Sequence, residues 1–419
     1  PTKLLKHFEP PKIISQQNIV QKQVSKTLAL LYKSKQPLIL VGQGVRIAKA
    51  NEILLKLLNK TNIPVVTTRL GIDLIVSDNP LFVGRPGLYG DRSANFAIQL
   101  ADFILIIGAR LDSGIIGYDA LDWGRHARKV IVDIDPNELE KPGIQNTLKF
   151  LCDAREFLTE FSTQVNVKKI PPTKKWITYC NKLKNAYPTV LSSYKNGDPV
   201  NSYYLSQQLS LAAKPSDVIV VDTSSPFHVV CQAWNIKKGQ RFITTGGIST
   251  MGYWAAAIGA CLANKRKRTI VVTGDGCLQM NIQELATVKH NKLPIKLFVV
   301  NNKGYLLIRH TQKTHMEGRL MGEGPKTGLW CPDSIAIAKA YGIKSVKITS
   351  PKNIAKKIKE VLEYNGPVIC DVDSPQWQLI IPRISSEKKS DGSMVSKPYE
   401  DLYPFLDRDE FEKVLNMKK

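Results

Sequence analysis

Residues 274–302 read GDGCLQMNIQELATVKHNKLPIKLFVVNN, and each polar end of this stretch follows an apolar run. The runs at 269–273 and 297–300 are rich in the β-branched and aromatic residues that favour buried strands. Between them Asn281 can cap a helix, and three apolar residues recur on one face of that helix: Ile282, Leu285 and Val288. The stretch therefore predicts one strand–helix–strand unit of a parallel sheet.

Oxygen donors stand at both ends of this unit, Asp275 after the first strand and Asn302 after the second. Ligands of open α/β sheets bind outside the carboxyl ends of the strands, so we expect the two side chains at one site. A carboxylate, an amide oxygen and a main-chain carbonyl suit Mg²⁺, which shares its coordination with phosphate oxygens. Gly276, in the same turn as Gly274, lets the backbone approach those phosphates closely. The sequence thus predicts a metal–diphosphate site.

Length and composition exclude several classes of protein. The 419 residues suffice for two domains, and 43% of them are hydrophobic. No run reaches the roughly 18–20 apolar residues of a membrane span, and the first residues lack a signal-peptide pattern. Seven scattered cysteines without a CxxC pair indicate reduced thiols, so we expect a cytoplasmic protein without a membrane partner.

The net charge of +23 raises the hypothesis of nucleic-acid binding. The lysines are spread along the chain, however, and the densest run, at 265–268, has no aromatic residues interleaved as stacking platforms. A lysine-rich solvated surface explains the charge better, and we expect no nucleic-acid partner.

Strands and helices alternate twice along the chain. Apolar runs at 37–41, 103–107 and 129–133 predict strands of a first sheet, and those at 217–221 and 368–372 bound a second series. One apolar helix face is predicted after the first run by five residues: Ile47, Ala50, Leu54, Leu57 and Leu58. The fold class is therefore α/β, with two doubly wound parallel-sheet domains.

A Pro/Lys-rich stretch at 165–175 predicts a linker. We place a central domain at 1–165, the linker at 166–200, the diphosphate- and metal-binding domain at 201–380 and a polar tail at 381–419. Gly42-Gln43-Gly44, after the first strand, is similar to a dinucleotide loop but lacks the third glycine, so it is a weak signal for nucleotide contact.

With these motifs placed, the chain is identified as a member of the thiamine-diphosphate enzyme superfamily, in its acetolactate-synthase-like branch. The resemblance covers nearly the whole chain. It rests on GDG…NN, on the stretch TGGISTMGY at 245–253, on GARLD at 108–112 and on VDIDP at 132–136. It implies a central domain of transhydrogenase type followed by a domain that binds thiamine diphosphate and Mg²⁺.

The resemblance also implies site residues. Asp275, Asn302 and the carbonyl of Gly304 would ligate Mg²⁺. The amides of Gly276 and Cys277 and the Thr223–Ser225 loop would hold the diphosphate. The full set of residues implied to bind the cofactor on this side is Thr223, Ser224, Ser225, Gly274, Gly276, Cys277, Asn302 and Tyr305. The Ser249 carbonyl and the Met251 amide would bond the aminopyrimidine, and the Met251 side chain would keep the cofactor bent so that its imino nitrogen reaches the reactive carbon. A core methionine is the structural alternative for Met251.

In this superfamily a glutamate on a pyrimidine-binding domain activates the cofactor. No segment of this sequence resembles that domain, so the glutamate is assigned to no residue here, and we expect a pyrimidine-binding domain or subunit as a partner. The cofactor of such enzymes lies between subunits, which implies a homo-oligomer, a dimer or a tetramer. FAD in the central domain is left open by the resemblance, because Gly42-Gln43-Gly44 and Arg110 do not decide it.

Departures from the family pattern bear on the reaction. Where simple pyruvate decarboxylases carry an acid, this chain has Ile308, which argues against release of a free aldehyde. The stretch GYLLIRHTQ at 304–312 and the tail are similar to enzymes that attach a two-carbon acyl unit to a nucleotide-linked keto sugar. The substrate-pocket candidates are Leu307, Ile308, Arg309 and His310. Arg309 and His310 would suit a phosphate-bearing or polyhydroxyl acceptor, or are two surface residues.

The leading hypothesis is a thiamine-diphosphate-dependent carboligase. It would decarboxylate a 2-keto acid, pyruvate for preference, and transfer the acyl unit to a carbonyl acceptor. Two alternatives stay open. One is a lyase or hydrolase acting on a 2-keto or dione compound, and the other is a cofactor-binding subunit without chemistry of its own.

Overall fold

Two parallel six-stranded sheets form the framework of the protein, as the sequence predicted. The structure, a computed structural model, describes residues 17–245, 250–388, 390–391 and 394–416. Helices cover both faces of each sheet, and separate clusters of buried apolar side chains fill the two sides of both sheets. The α/β class with two doubly wound domains is therefore confirmed.

The first sheet has the strand order β3-β2-β1-β4-β5-β6. Its strands are β1 (Pro37–Val41), β2 (Val65–Thr67), β3 (Phe82–Gly84), β4 (Phe103–Ile107), β5 (Arg128–Asp133) and β6 (Thr147–Leu151). Its helices are α1 (Gln17–Leu31), α2 (Gln43–Ile47), α3 (Asn51–Thr61), α4 (Arg92–Leu100), α5 (Ser113–Ile116), α6 (Pro136–Leu139), α7 (Ala154–Gln164) and α8 (Lys174–Ala186). The predicted apolar face after β1 is split between α2 and α3, and Ile47 at the end of α2 is 76% exposed.

The second sheet has the strand order β11-β12-β10-β9-β7-β8. Its strands are β7 (Val218–Val221), β8 (Arg241–Thr244), β9 (Thr269–Gly274), β10 (Ile295–Asn301), β11 (Lys344–Ile348) and β12 (Val368–Asp373). Its helices are α9 (Ser202–Ala212), α10 (Ser225–Ala233), α11 (Ala256–Ala263), α12 (Asp275–Gln279), α13 (Glu284–His290), α14 (Leu306–His315), α15 (Ser334–Ala340) and α16 (Ile354–Glu363). A two-stranded antiparallel ribbon, β13 (Ser386–Lys388) with β14 (Met394–Ser396), and helix α17 (Arg408–Asn416) follow.

The strand order of the second sheet determines where a ligand can bind. The chain runs from β7 to its neighbour β8 and then returns to β9 on the other side of β7, so the order reverses between β7 and β9. Crevices form at such reversals, outside the carboxyl ends of the strands. The Thr223–Ser225 loop after β7 and the Asp275 turn after β9 both open at this point. The topology thus brings together two segments that the sequence keeps about 50 residues apart.

The segment predicted as a linker contains helix α8. Three of its side chains are buried in the core of the first domain: Trp176, Cys180 and Leu183. The tail also packs on this domain, because Tyr399 and Leu402 are buried there. Glu400 bonds the guanidinium of Arg125 at 2.5 Å and the amide of Gln99 at 3.0 Å. Both segments therefore contribute to the first domain's packing.

The two domains are joined through Asp73, whose side chain is fully buried. Its carboxylate accepts hydrogen bonds from Arg46 of the first domain at 2.8 Å and from the main-chain N–H of Phe242 in β8 at 2.9 Å. It also pairs with Arg241 of β8. A buried carboxylate held by two arginines is well satisfied, so the contact positions the carboxyl edges of the two sheets relative to each other.

All seven cysteines are free thiols. Within the described ranges, no helix has the length and apolar character needed to cross a membrane.

Candidate functional site

Asp275 lies at the centre of the predicted metal site. β9 ends at Gly274, and Asp275 begins α12 directly, so the predicted turn is a strand-to-helix junction. The carboxylate is 3% exposed and accepts main-chain N–H bonds from Gly276 at 2.8 Å and Gly304 at 3.0 Å. Burial raises the pKa of Asp275 to about 6, although these bonds act in the opposite direction. Near neutral pH the site thus holds a buried negative charge, and none of the described residues gives it a basic side chain as partner.

Asn302 completes this arrangement from the end of β10. β9 and β10 pair in parallel with Val300 opposite Gly274, which places Asn302 beside the junction. Its side-chain oxygen Oδ1 is buried and accepts no hydrogen bond within the described structure. Leaving such an acceptor unsatisfied costs about 1–3 kcal/mol. An orphaned amide oxygen next to a buried carboxylate indicates a place for a cation.

These donors fit Mg²⁺. Asp275 and Asn302 supply side-chain oxygens, and the main chain at Gly304 is held against Asp275. The described residues contain no group of three His, Cys, Asp or Glu side chains able to hold a metal, so a zinc-type site is not present among them. One carboxylate with neutral oxygens leaves coordination positions for phosphate and water, as Mg²⁺ requires. That these residues ligate the ion stays a prediction.

The loop after β7 faces the junction from the other side of the crevice. Ser224 has φ of 66° and ψ of −142°, a conformation that non-glycine residues rarely adopt. Strained backbone of this kind clusters at ligand-binding sites. Thr223 and Ser225 are buried on either side of it, and Cys277 is buried across the crevice in α12. The four residues lie where a diphosphate was predicted, and contact with it stays a prediction.

Asp222 organises this loop, although no sequence motif contains it. Its fully buried carboxylate accepts bonds from the N–H of Thr223 at 2.8 Å, the hydroxyl of Thr273 at 2.9 Å and the N–H of Tyr253 at 3.1 Å. It therefore ties β7, β9 and the Met251 segment together. The only sequence signal was its position directly after an apolar strand.

Met251 is half-buried at the start of the segment that leads to α11. Gly252 has φ of 86°, and its carbonyl accepts a bond from the side-chain amide of Asn281 at 2.7 Å. Asn281 was predicted to cap a helix. That prediction is wrong, because α13 begins later, at Glu284, and Asn281 fixes the Met251 turn instead. Ser249 lies outside the described residues.

Gly276 packs against the ring of Tyr305. A Cβ atom added there would lie 2.2 Å from that ring, so the packing itself requires glycine. Close approach of a phosphate to the Gly276 backbone stays a prediction. Tyr305 itself is half-buried at the start of α14, so its ring and α12 form one wall of the site.

The four pocket candidates on α14 divide into two pairs. Leu307 is half-buried and Ile308 is 46% exposed, so both are accessible. Arg309 is 2% exposed and donates to main-chain carbonyls and to Glu323, and His310 shares a hydrogen bond of 2.9 Å with the carbonyl of Gln378. Main-chain carbonyls thus engage both side chains, and burial leaves Arg309 little access to a substrate. That His310, which is half-buried, contacts a substrate stays a prediction.

A second buried arginine lies between the domains and carries no sequence motif. Arg69 follows β2, and its guanidinium bonds His228 Nδ1 of α10 at 3.0 Å and the carbonyl of Gly114 at 3.2 Å. Because arginine only donates, His228 Nδ1 accepts, and burial beside this cation puts the pKa of His228 well below its usual value. The contact joins residues 159 positions apart, so spacing along the chain could not reveal it.

The Gly42-Gln43-Gly44 loop does not fit a flavin-phosphate cradle here. A Cβ atom on Gly42 would lie 2.2 Å from the carbonyl oxygen of Gly108, and one on Gly44 would lie 2.7 Å from the Gly108 Cα. Both glycines are explained by close packing of the loops after β1 and β4. Arg110 is mostly exposed and pairs with Glu138. The structure gives FAD no support.

Comparison with known proteins agrees with this geometry. Residues 222–372 match the family model described as "Thiamine pyrophosphate enzyme, C-terminal TPP binding domain". Residues 24–161 match the one described as "Thiamine pyrophosphate enzyme, central domain". The first match contains the Thr223–Ser225 loop and both ends of the metal site.

Several curated proteins are similar over most of the chain. The acetolactate synthase large subunit of Cyanidium caldarium is 31% identical over 375 residues, which are 88% of this chain and 63% of the relative. The corresponding protein of Corynebacterium glutamicum is 28% identical over 93% of this chain and 62% of its own length. The probable acetolactate synthase large subunit of Methanocaldococcus jannaschii is 28% identical over 84% of this chain and 59% of its length. The chain thus spans about three fifths of these relatives.

Proposed function

Because this chain belongs to the thiamine pyrophosphate enzymes, we propose that it is a thiamine-diphosphate-dependent carboligase. Its reaction would decarboxylate a 2-keto acid, pyruvate in the first instance, and transfer the acyl unit to a carbonyl acceptor. The observation that carries the proposal is the orphaned Oδ1 of Asn302 beside the buried carboxylate of Asp275. Relatives named acetolactate synthase support the reaction class.

Thiamine diphosphate, when bound, supplies the carbon nucleophile and the electron sink that decarboxylation of a 2-keto acid needs. In our proposal Asp275, Asn302 and the carbonyl of Gly304 hold Mg²⁺, which neutralises the diphosphate. Thr223 and Ser225 bind that diphosphate at the opposite side of the crevice. The chain's contribution is then to fix the charged end of the cofactor and to exclude water from it.

The residues near the reactive end favour carbon–carbon bond formation. Ile308 and Leu307 are accessible and apolar, so neither can deliver a proton that would release the acyl unit as an aldehyde. In our proposal the half-buried Met251, on a turn fixed by Asn281, would support the cofactor near its reactive end. We propose that the acyl unit therefore persists until a carbonyl acceptor arrives.

The acceptor is proposed by class alone. Similarity of residues 304–312 to enzymes of surface-polysaccharide synthesis suggested a nucleotide-linked keto sugar. Arg309 adds no support to that choice, because it is buried and main-chain carbonyls engage it. His310 is half-buried, with Nε2 engaged by the carbonyl of Gln378, and is kept as a candidate contact. A second 2-keto acid and a keto sugar are thus the two acceptors to compare.

A domain that carries the activating glutamate completes the proposed enzyme, as a partner or as a further part of the protein. Large apolar side chains lie exposed on and after α14, including Met321 at 78% and Trp330 at 74%, and they support an assembly there. We propose a homo-oligomer, a dimer or tetramer. The seven free cysteines support a reducing compartment, the cytoplasm.

The test combines binding with product analysis. Isothermal titration of the chain with thiamine diphosphate, with and without Mg²⁺, should show binding that depends on the metal. With a pyrimidine-binding domain supplied, ¹³C-pyruvate and either acceptor should yield labelled CO₂ and a carboligation product by NMR. Metal-dependent binding without turnover would instead favour a non-catalytic subunit. Hydrolysis or cleavage of a dione without ligation would favour the lyase or hydrolase reading.

A further inference from the structure

We propose that Arg309 is a positioning residue that determines which oxygen atoms of residues 302–304 remain available to a cation. The inference deepens the proposed function of the same site, on which it rests. Arg309 touches neither Asp275 nor the side chain of Asn302 within the described contacts. It acts through the main chain that carries the ligands.

The guanidinium of Arg309 is buried and serves three chain segments at once. Nη1 donates to the carbonyl of Asn302 at 3.4 Å and to that of Gln376, and Nη2 donates to the carbonyl of Lys303 at 3.2 Å. Nη2 also reaches the carbonyl of Glu323 at 3.1 Å, and Nε pairs with the Glu323 carboxylate. The planar fork of arginine is the only side chain that can donate in these directions together.

Two glycines make room for this guanidinium. A Cβ atom on Gly304 or on Gly324 would lie 3.1 Å from Nη2 of Arg309. At Gly304 the same atom would also lie 2.0 Å from the carbonyl oxygen of Glu323. The backbone at Gly304 therefore lies between two groups. The Arg309 guanidinium packs against its Cα, and the Asp275 carboxylate accepts its N–H.

Arg309 limits which oxygen atoms of residues 302–304 can bind a cation. The three residues offer three main-chain carbonyls, and Mg²⁺, which requires near-octahedral coordination, can use only those that point towards it. Arg309 engages the carbonyls of Asn302 and Lys303. The Asn302 side chain keeps its Oδ1 unpartnered and buried. The carbonyl of Gly304 is not among the groups that accept a hydrogen bond from Arg309. These two are the oxygens that we assign to the metal.

The experiment compares Arg309→Lys with a matched control, Arg268→Lys. Arg268 is partly buried in the second domain, with 15% of its side chain exposed, pairs with Asp217 at 2.5 Å and donates to the carbonyl of Leu362 at 3.0 Å. It stands just before β9, at the sheet edge opposite the site. Both changes keep the charge and lose the planar fork, so a general cost of losing a hydrogen-bonded guanidinium should appear in both.

Two quantities are measured on each folded variant. The first is the affinity for thiamine diphosphate with Mg²⁺ by titration calorimetry, which should fall about 10–100-fold in Arg309→Lys and stay within about twofold in Arg268→Lys. The second is hydrogen exchange of the amides at 303–305 without ligand, which should accelerate on the order of tenfold in Arg309→Lys alone. Equal losses of melting temperature with unchanged affinity and exchange would overturn the proposal.

A second variant tests the proposal if Arg309→Lys does not fold. Glu323→Gln removes the charge opposite Nε of Arg309 and should also lower the affinity for thiamine diphosphate with Mg²⁺, by a smaller factor than the one expected for Arg309→Lys. Should the unaltered protein bind no thiamine diphosphate, the proposed function fails, and exchange alone then tests Arg309. If hydrogen exchange at 303–305 is no faster in Arg309→Lys than in Arg268→Lys, the positioning role of Arg309 is refuted, whether or not the protein binds thiamine diphosphate.

Discussion

The carboxylate of Asp275 accepts the main-chain N–H of Gly304 at 3.0 Å across 29 positions of sequence. This bond joins the end of β9 to the loop after β10. It explains how a carboxylate and an amide oxygen from different strands are kept at one site. Burial of the same carboxylate is costly for the free protein, because no cationic side chain among the described residues pairs with it.

Replacing Asp275 by Asn should separate binding from stability. Affinity for Mg²⁺ and thiamine diphosphate should fall by more than about 100-fold, since a direct ligand matters more than the partners around it. The free protein should become more stable at pH 7–8, by up to about 3 kcal/mol, because a buried charge is removed. Calorimetric titration and urea unfolding measure the two effects. A variant that binds as tightly as the unaltered protein would refute the site assignment.

The affinity for Mg²⁺ should depend on pH through Asp275. Its pKa is raised to about 6 in the folded protein, so the ligating carboxylate is lost by protonation below that value. We expect affinity to rise between about pH 5 and pH 7 and to level off above. The free protein should lose stability as pH rises from about 4 to about 6, since there the folded state binds more protons than the unfolded one. Asp275→Asn is the control, and it should lack both dependences.

Gly276→Ala should destabilise the protein through Tyr305. The added methyl group would lie 2.2 Å from the ring, so the ring must move, at a cost of about 1–3 kcal/mol. The double variant Gly276→Ala with Tyr305→Ala should lose less than the two single losses added together, because the clash disappears with the ring. Urea unfolding of the four proteins provides the cycle. Simple additivity would show that Gly276 has another role.

His228→Gln should remove part of the protein's sensitivity to acid. His228 has a lowered pKa when folded, so below about pH 6.5 the unfolded state binds the extra proton and stability falls as the pH falls. One such histidine contributes at most about 1.4 kcal/mol per pH unit. The unaltered protein should therefore lose its advantage over the variant between pH 7.5 and pH 5 in urea unfolding. A pH-independent difference would contradict the assigned neutral state.

Ile308→Glu should shift the products of the assembled enzyme towards free aldehyde. The side chain is 46% exposed on α14, so a carboxyl group is tolerated there and can deliver a proton. We expect the aldehyde share to rise several-fold relative to Ile308→Gln, which has a similar shape and no acidic proton. NMR of the products from ¹³C-pyruvate gives both shares. Equal shares in the two variants would show that Ile308 does not govern the outcome.

The sequence located the interior of both sheets well. β4, β9, β10 and β12 appeared as continuous apolar runs because both of their faces are covered by helices. The sequence did not predict β3, β6, β8 or β11. The side chains of β6 and β11 are largely exposed or half-buried and include lysines, since each of these two strands lies at a sheet edge and carries little hydrophobic signal. β3 and β8, at the other sheet edges, are only three and four residues long.

The sequence by itself determined the two α/β domains and the pair Asp275 and Asn302, because apolar runs and strand ends are local properties. Tertiary structure alone decided how the loop at 302–304 is held in place. The sequence left Arg309 either as a substrate contact or as a surface residue, whereas in the fold it is buried and bonded to Asn302, Glu323 and Gln376. Its donors are satisfied by carbonyls from three segments of the chain. Such contacts depend on packing, which spacing along a sequence does not record.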